Sequence, residues 1–190
     1  MKARIVSYCI MDTDAEILVG TYRSMGINYP KFFKMDRLSK VGFLAAEKVL
    51  SAAGMRNDDP KPDMAVVLAN GTSSTVDDVE FQKGLDPENF FPSPSLFVYT
   101  LSNIVCGEIA IRNKILGETS FYVMPSPSAE FMLESVRWAF GDGGVKHVLC
   151  GWVECLVPGS KCVMMLVSSE ASDGPLFCEE EICRICQLSL

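Results

Sequence analysis

Ser126 is the residue in this sequence whose position is most typical of a nucleophile. A Pro-Ser-Pro-Ser turn at 125–128 separates residues 119–124, rich in strand-forming side chains, from an apolar segment with helical spacing, Ala129–Phe140. A serine on a tight turn between a buried strand and a buried helix attacks carbonyl groups only when a neighbouring base takes its proton. No base is visible in the sequence beside Ser126, so the surrounding elements decide what this residue does.

The elements around the turn alternate between strand and helix patterns. Residues 101–113 predict a helix before it, and residues 145–153 predict a strand after it. Further strands are predicted at 3–10, 64–69, 161–167 and 179–188, and further helices at 41–52 and 75–84. The continuous apolar run at 64–69 is typical of a strand covered on both faces. Asp36 is placed to cap the helix that follows it, and Gly54 to end that helix.

The segment before the Ser126 turn contains a sequence motif. Asn103, Gly107 and Gly117 enclose the run Glu-Ile-Ala-Ile-Arg at 108–112, and a strand, a small-residue turn and a helix follow. This order resembles the β-ketoacyl-acyl-carrier-protein synthase family. The Met-Asp-Arg run at 35–37 and the Gly-Thr pair at 71–72 resemble the same family. The resemblance implies an α/β fold, namely one half of a thiolase-like fold, with a mixed β-sheet covered by helices.

The resemblance also bears on catalysis. Counting nine residues from Gly117 places the family's catalytic cysteine at Ser126, so the nucleophile differs. The family further implies two catalytic histidines from a second half, whereas this sequence has one histidine, His147, which matches neither. Pro125 and Pro127 lack the backbone N–H groups that would bind an oxyanion. These losses predict a protein without condensing activity of its own.

Three functions remain open on the sequence. The favoured one is a non-catalytic accessory or partner subunit of fatty-acid or polyketide synthesis, with an active-site cysteine replaced. The second is an enzyme that handles acyl thioesters with Ser126 or with a site shared with a partner chain. The third is a lipid- or acyl-binding protein. By resemblance, the substrate-binding pocket and dimer interface would be lined by Phe90, Phe91, Phe97 and Tyr99, which equally fit an ordinary core.

The sequence predicts a partner chain. The helix Ala129–Phe140 carries apolar residues nearly all round and should be buried on several sides. The resemblance implies that a second half covers such a helix. We therefore expect a homodimer, or a heterodimer with a ketosynthase-like subunit. An acyl carrier protein is a further candidate partner, but it would need a basic docking patch, and none is evident in the sequence.

Composition limits the protein class. A chain of 190 residues with 48% hydrophobic residues predicts a single domain, residues 1–190. No apolar run reaches the roughly 18 residues of a membrane span, and no signal-peptide pattern is present. We therefore expect a cytoplasmic protein without membrane contact. A net charge of −7 without a Lys/Arg cluster argues against nucleic acid as a partner.

Neither a metal nor another cofactor is predicted. The sequence has eight cysteines, most of them inside apolar elements, where a thiol behaves as a small core side chain. Cys183 and Cys186, with Cys178 nearby, have a metal-like spacing. Because residues 179–188 predict a strand, side chains three residues apart would point to opposite faces, which argues against a shared metal or redox site. His147 is expected to be structural.

Overall fold

A mixed β-sheet forms the centre of the fold. The computed structural model describes residues 2–55, 57–88, 91–141, 143–156 and 160–188. Within them the strands are β1 (Arg4–Asp12), β2 (Met64–Asn70), β3 (Thr119–Val123), β4 (His147–Val153) and β5 (Lys161–Ser168). They lie in the order β1-β5-β4-β2-β3. Strand β2 runs parallel to β3 and β4, whereas β5 is antiparallel to β4 and β1.

The helices connect and cover these strands. They are α1 (Ala15–Ser24), α2 (Arg37–Ala52), α3 (Thr75–Lys83), α4 (Pro94–Tyr99), α5 (Ile104–Asn113), α6 (Ala129–Phe140) and α7 (Glu179–Cys186), with a 3₁₀ turn at Pro30–Lys34. The α/β class and the mixed, helix-covered sheet predicted from the sequence are confirmed. No helix in the described ranges is both long and apolar enough to cross a membrane.

Strand β2 is buried along its whole length because helices cover both faces of the sheet. Val66 and Leu68 point into an apolar layer formed with α2 and α5. Ala65 and Val67, which alternate with them, point into a second layer formed with α6 and α7. The prediction that this run is covered on both faces is confirmed.

Helix α2 has the ends that its sequence predicts. The Asp36 carboxylate accepts a hydrogen bond from the Ser39 backbone N–H at 3.2 Å, as an N-cap does. Gly54 follows the helix with a φ of +70°, the left-handed conformation that favours glycine at a helix end. Asp36 and Gly54 each lie within a few residues of the helix end that they specify.

The last predicted strand is wrong, because residues Glu179–Cys186 form helix α7. Alternation suggested a strand, but Ile182 and Ile185 also lie three residues apart on one helix face, and both are buried. Three glutamates, at 179–181, occupy the first turn, where negative charge stabilises the helix dipole. Cys183 and Cys186 therefore lie on neighbouring positions of one helix and not on opposite faces of a strand.

Other element boundaries differ more modestly from the predictions. Helix α5 begins at Ile104, three residues after the predicted start, and β4 begins at His147. The aromatic and proline residues at 90–95 predict a loop, but helix α4 begins within this segment at Pro94, with the Ser93 hydroxyl accepting a hydrogen bond from Leu96 N–H. Glycine and proline at 141–144 and 157–160 predict turns, and within them Asp142 and residues 157–159 lie outside the described residues.

Helix α6 is less completely covered than its composition predicts. Its bounds are as predicted, and its buried side chains face the sheet and α7. Glu130, Glu134 and Arg137 are exposed, and the Trp138 side chain is 80% exposed. The number of apolar residues in α6 overestimates its burial because Trp138 is exposed together with the charged residues. Helix α7 of the same chain covers part of the remaining apolar surface.

We expect Gly117→Ala to destabilise the fold. A Cβ at this position would lie 2.2 Å from the carbonyl oxygen of Met64, so the backbone of β2 would have to move. Overpacking of this kind lowers the free energy of unfolding by roughly 1–3 kcal/mol. Gly107→Ala in the same motif is the control, since its Cβ would meet no atom within 4 Å and a helix interior favours alanine. Urea unfolding measures both variants, and a fully stable Gly117→Ala would contradict the packing described.

Candidate functional site

Ser126 lies on a bend between β3 and α6, as predicted, and its side chain is exposed. Within the described residues its hydroxyl neither donates nor accepts a side-chain hydrogen bond. The flanking prolines offer no backbone N–H to an oxyanion. Ser126 therefore lies on a turn of the kind that carries nucleophiles, but among the described residues no base is hydrogen-bonded to its hydroxyl.

Ser128 has the role at the helix start that Ser126 lacks. Its hydroxyl accepts a hydrogen bond from the Phe131 N–H at 3.1 Å, which makes Ser128 the N-cap of α6. Ser126 lies two residues before this cap. The Ser-Ala-Glu run at 128–130 before an apolar segment is a capping signal that the sequence reading missed.

An open cavity of about 480 Å³ lies beside Ser126. Ser126 and Glu130 line one side, and Glu179 and Cys183 of α7 line another. The helix that was mistaken for a strand therefore forms a wall of the candidate site. A neighbouring cavity of about 230 Å³ is lined by Trp152, Glu154 and Cys186, among others.

The thiols near this site are poor nucleophiles. Burial, followed by the neighbouring Cys183, raises the pKa of the Cys186 thiol to about 11, so it is protonated at neutral pH. Cys183 is itself buried. Each of the eight cysteines is a free thiol, and no group of three His, Cys, Asp or Glu side chains among the described residues is arranged to hold a metal ion.

Glu154, directly after β4, is tied to the loop after β2. Its carboxylate accepts hydrogen bonds from the Thr72 hydroxyl at 2.7 Å and from the Gly71 N–H at 3.1 Å. The N–H groups of Cys155 and Leu156 also donate to it. Burial alone would raise the pKa of Glu154, but these hydrogen bonds hold it below its usual value. The loop at 71–72 thus binds a carboxylate that stays ionised and is a weak base.

His147 lies at the opposite end of the sheet from Ser126. It pairs with Met64 at the start of β2, whereas β3 ends beside Asn70 at the other end. At about 3.3 Å per residue, the length of β4 alone separates the two ends by about 20 Å. His147 is half-buried, and its Nδ1 atom is buried without a hydrogen-bond partner among the described residues. It therefore cannot activate Ser126 within one chain.

The predicted substrate-binding aromatics do not form a core. Phe91 is 84% exposed and Phe97 is 53% exposed. Tyr99 is half-buried, and its hydroxyl donates to the Glu108 carboxylate at 3.3 Å. Phe90 lies outside the described residues. The exposed rings exclude the alternative of an ordinary core for Phe91 and Phe97, and a pocket or interface role for these residues stays a prediction.

A row of basic residues with a spacing of three was overlooked in the sequence. Lys31 and Lys34 lie on the 3₁₀ turn, where residues three apart share a face, and Arg37 and Lys40 lie in the first turn of α2. Lys40 Nζ lies 5.9 Å from the centre of the Phe32 ring, so the two segments are in contact. The Arg37 guanidinium donates hydrogen bonds to the Thr13 carbonyl oxygen at 3.0 and 3.1 Å, which places Arg37 beside the end of β1.

The similarity of this arrangement to solved structures is extensive. The fold matches the ishigamide ketosynthase/chain length factor with a TM-score of 0.64, at 18% identity, over 93% of this chain and 64% of that one. The chain has a thiolase-like ketosynthase fold. It also matches a ketosynthase in complex with its chain length factor from Xenorhabdus doucetiae, with a TM-score of 0.59 at 14% identity, over 90% of this chain and 81% of that one.

A third match to the ketosynthase fold is a type II polyketide synthase ketosynthase with its acyl-carrier protein, at 12% identity and a TM-score of 0.61. That match covers 89% of this chain and 62% of the other, so the chain spans less than two thirds of the length of two of these neighbours. At these identities the similarity concerns the fold. No family model and no curated protein matches the sequence.

We expect Ser128→Ala to lower the free energy of unfolding by about 1 kcal/mol, because the Phe131 N–H loses its acceptor. Ser126→Ala is the matched control and should leave stability unchanged, since the Ser126 side chain is exposed and unbonded. Thermal or urea unfolding measures both. If Ser126→Ala lowered the free energy of unfolding more than Ser128→Ala, the cap of α6 would be assigned to the wrong serine.

Proposed function

We propose that this protein is a β-ketoacyl synthase-like accessory or partner subunit of polyketide or fatty-acid synthesis that does not itself catalyse condensation. The observation that carries the proposal is the exposed, unactivated Ser126 at the position matched to the family's nucleophile. The ketosynthase fold supports the family role. The protonated Cys186 thiol, the hydrogen-bonded Glu154 and the distant His147 support the loss of catalysis.

The proposed subunit pairs with a second chain, either a copy of itself or a ketosynthase-like protein. Strand β3 is an edge of the sheet, and its outer side pairs with no strand among the described residues. Tyr122 and Val123 on β3 are exposed, as are Phe97 and Leu101 in and after α4. An open strand edge with exposed apolar side chains is suited to pairing with another chain. Two of the similar structures are ketosynthases named together with a chain length factor.

We expect light scattering to give the mass of a dimer, for the chain alone or after mixing with a ketosynthase from the same source. Val123→Lys should return the mass to that of the monomer, because it places a charge on the β3 edge. Val6→Lys, which adds the same charge to an exposed position of the other edge strand β1, is the control. A monomer under both conditions would contradict the proposed pairing.

The same preparations test the absence of catalysis. Incubated with an acyl thioester, the wild-type chain should release no more thiol than the solution without protein, and Ser126→Ala should equal the wild type. The ketosynthase alone supplies the positive control. Turnover by the wild type that disappears in Ser126→Ala would establish the alternative function, an acyl-thioester enzyme that uses this serine.

An acyl carrier protein is the second partner that we propose. Within the basic row Lys31 is ion-paired with Glu108 and Arg37 with Asp14, so Lys34 and Lys40 are the residues that supply the docking charge in this proposal. Lys34→Glu combined with Lys40→Glu should weaken carrier binding roughly tenfold, because repulsion replaces attraction at the rim of the contact. Lys146→Glu is the control, as Lys146 precedes β4 at the opposite end of the sheet. Titration calorimetry at two salt concentrations measures the effect, and equal affinity of all variants would refute this docking surface.

A further inference from the structure

Another open cavity, also of about 480 Å³, lies away from Ser126. Its walls include the ends of α2 and α5, the helices that lead into β2 and β3, whereas Ser126 follows the carboxyl end of β3. The two cavities share no lining residue. This cavity is therefore separate from the site described above.

The Arg112 side chain is fixed in the wall of this cavity. Its Nε and Nη2 atoms donate to the Glu47 carboxylate at 3.0 and 3.2 Å, and Asn57 Nδ2 donates to the same carboxylate at 3.1 Å. The guanidinium group lies 5.0 Å from the centre of the Tyr29 ring and 6.0 Å from that of Phe43. A group that is held on several sides keeps its orientation when a ligand binds, which lowers the entropy cost of binding.

The Arg112–Glu47 pair retains unused hydrogen-bonding capacity. A guanidinium group has five N–H donors, and the bonds to Glu47 use two of them. Among the described residues no acceptor is hydrogen-bonded to the others. A carboxylate accepts about four hydrogen bonds, and described residues donate three to Glu47. The Ser51 hydroxyl, exposed in the last turn of α2, also lines the cavity and can donate or accept.

Apolar side chains form another part of the wall. Met25, Ile27 and Met55 are partly buried and pack against the apolar layer of α2, and they also line the cavity. Methionine adapts its shape to an irregular partner. A hydrocarbon group that enters the cavity leaves water, which favours its binding.

The charges in the wall select the head group of a ligand. Glu47 and Asp58 carry negative charge against the single positive charge of Arg112, so a carboxylate or phosphate head would be repelled. An ammonium head has no acceptor for the N–H groups of Arg112. An uncharged amide satisfies both requirements, because its carbonyl oxygen accepts from Arg112 and its N–H group donates to Ser51 or Glu47.

We propose that this cavity binds a small uncharged amide that carries a hydrocarbon chain. The amide bonds to Arg112, and the chain lies against Met25, Ile27 and Met55. The volume of the cavity falls within the range of about 300–1,000 Å³ that is usual for sites of small molecules. The site does not depend on the proposed synthase role.

Titration with hexanamide tests the site in the intact protein, observed by NMR of labelled methionine methyl groups. The Met25 and Met55 signals should shift saturably, whereas the Met132 signal, from the apolar layer on the other face of the sheet, should not. Hexanoate and hexylamine have the same chain length and should bind about tenfold more weakly, because their charged heads do not match the wall. Absence of a saturable shift, or equal binding of either charged compound, would overturn the proposal.

Two variants locate the binding site. Ser51→Trp fills the cavity without removing the ion pair and should weaken hexanamide binding about tenfold. Ala52→Trp is the matched control, since it adds the same ring at the next exposed position of α2, which does not line the cavity. Arg112→Lys keeps a positive charge beside Glu47 but loses the planar set of donors, so it should also weaken binding about tenfold. Equal affinity of Ser51→Trp and Ala52→Trp would overturn the site.

Discussion

The two-sided burial of strand β2 is the constraint on which the rest of the structure depends. All seven residues of Met64–Asn70 are buried, so helices must cover both faces of the sheet around them. The parallel pairing of β2 with β3 and β4 then brings the carboxyl ends of these strands to one edge. Loops at this edge of a parallel sheet are where α/β proteins place their binding sites. Ser126, Glu154 and the Gly71–Thr72 loop all lie at this edge.

The polar groups at this edge stabilise loops and helix ends and do not form a reactive set. Glu154 uses its carboxylate oxygens to hold the loop after β2, and Ser128 uses its hydroxyl to cap α6. Ser126 is exposed, and among the described residues no base is hydrogen-bonded to its hydroxyl. These structural roles of Glu154 and Ser128 are part of the basis on which we propose an accessory subunit.

The motif that first indicated the ketosynthase family has a packing explanation in this chain. The Ile109 side chain of α5 is fully buried in the apolar layer that includes α2. Gly117 lies so close to the Met64 backbone that a Cβ at this position would collide with the Met64 carbonyl oxygen. Arg112 forms two hydrogen bonds with the buried Glu47 carboxylate of α2, at 3.0 and 3.2 Å. The guanidinium group also lies 5.0 Å from the centre of the Tyr29 ring. These residues fix α5 against α2 and against the start of the central sheet, and none of them lines the cavity beside Ser126.

The sequence by itself determined the elements whose signals are local. The bounds of α6, the burial of β2 and the Asp36 cap of α2 depend on side-chain period and on neighbours within one turn. The tertiary structure decided α7, because alternation and helical spacing both fit residues 179–188 and only packing against α6 distinguishes them. It also decided the hydrogen bonds of Glu154 to the loop at 71–72 and the distance of His147 from Ser126. Each of these joins residues far apart in the chain, and spacing along a sequence carries no record of such contacts.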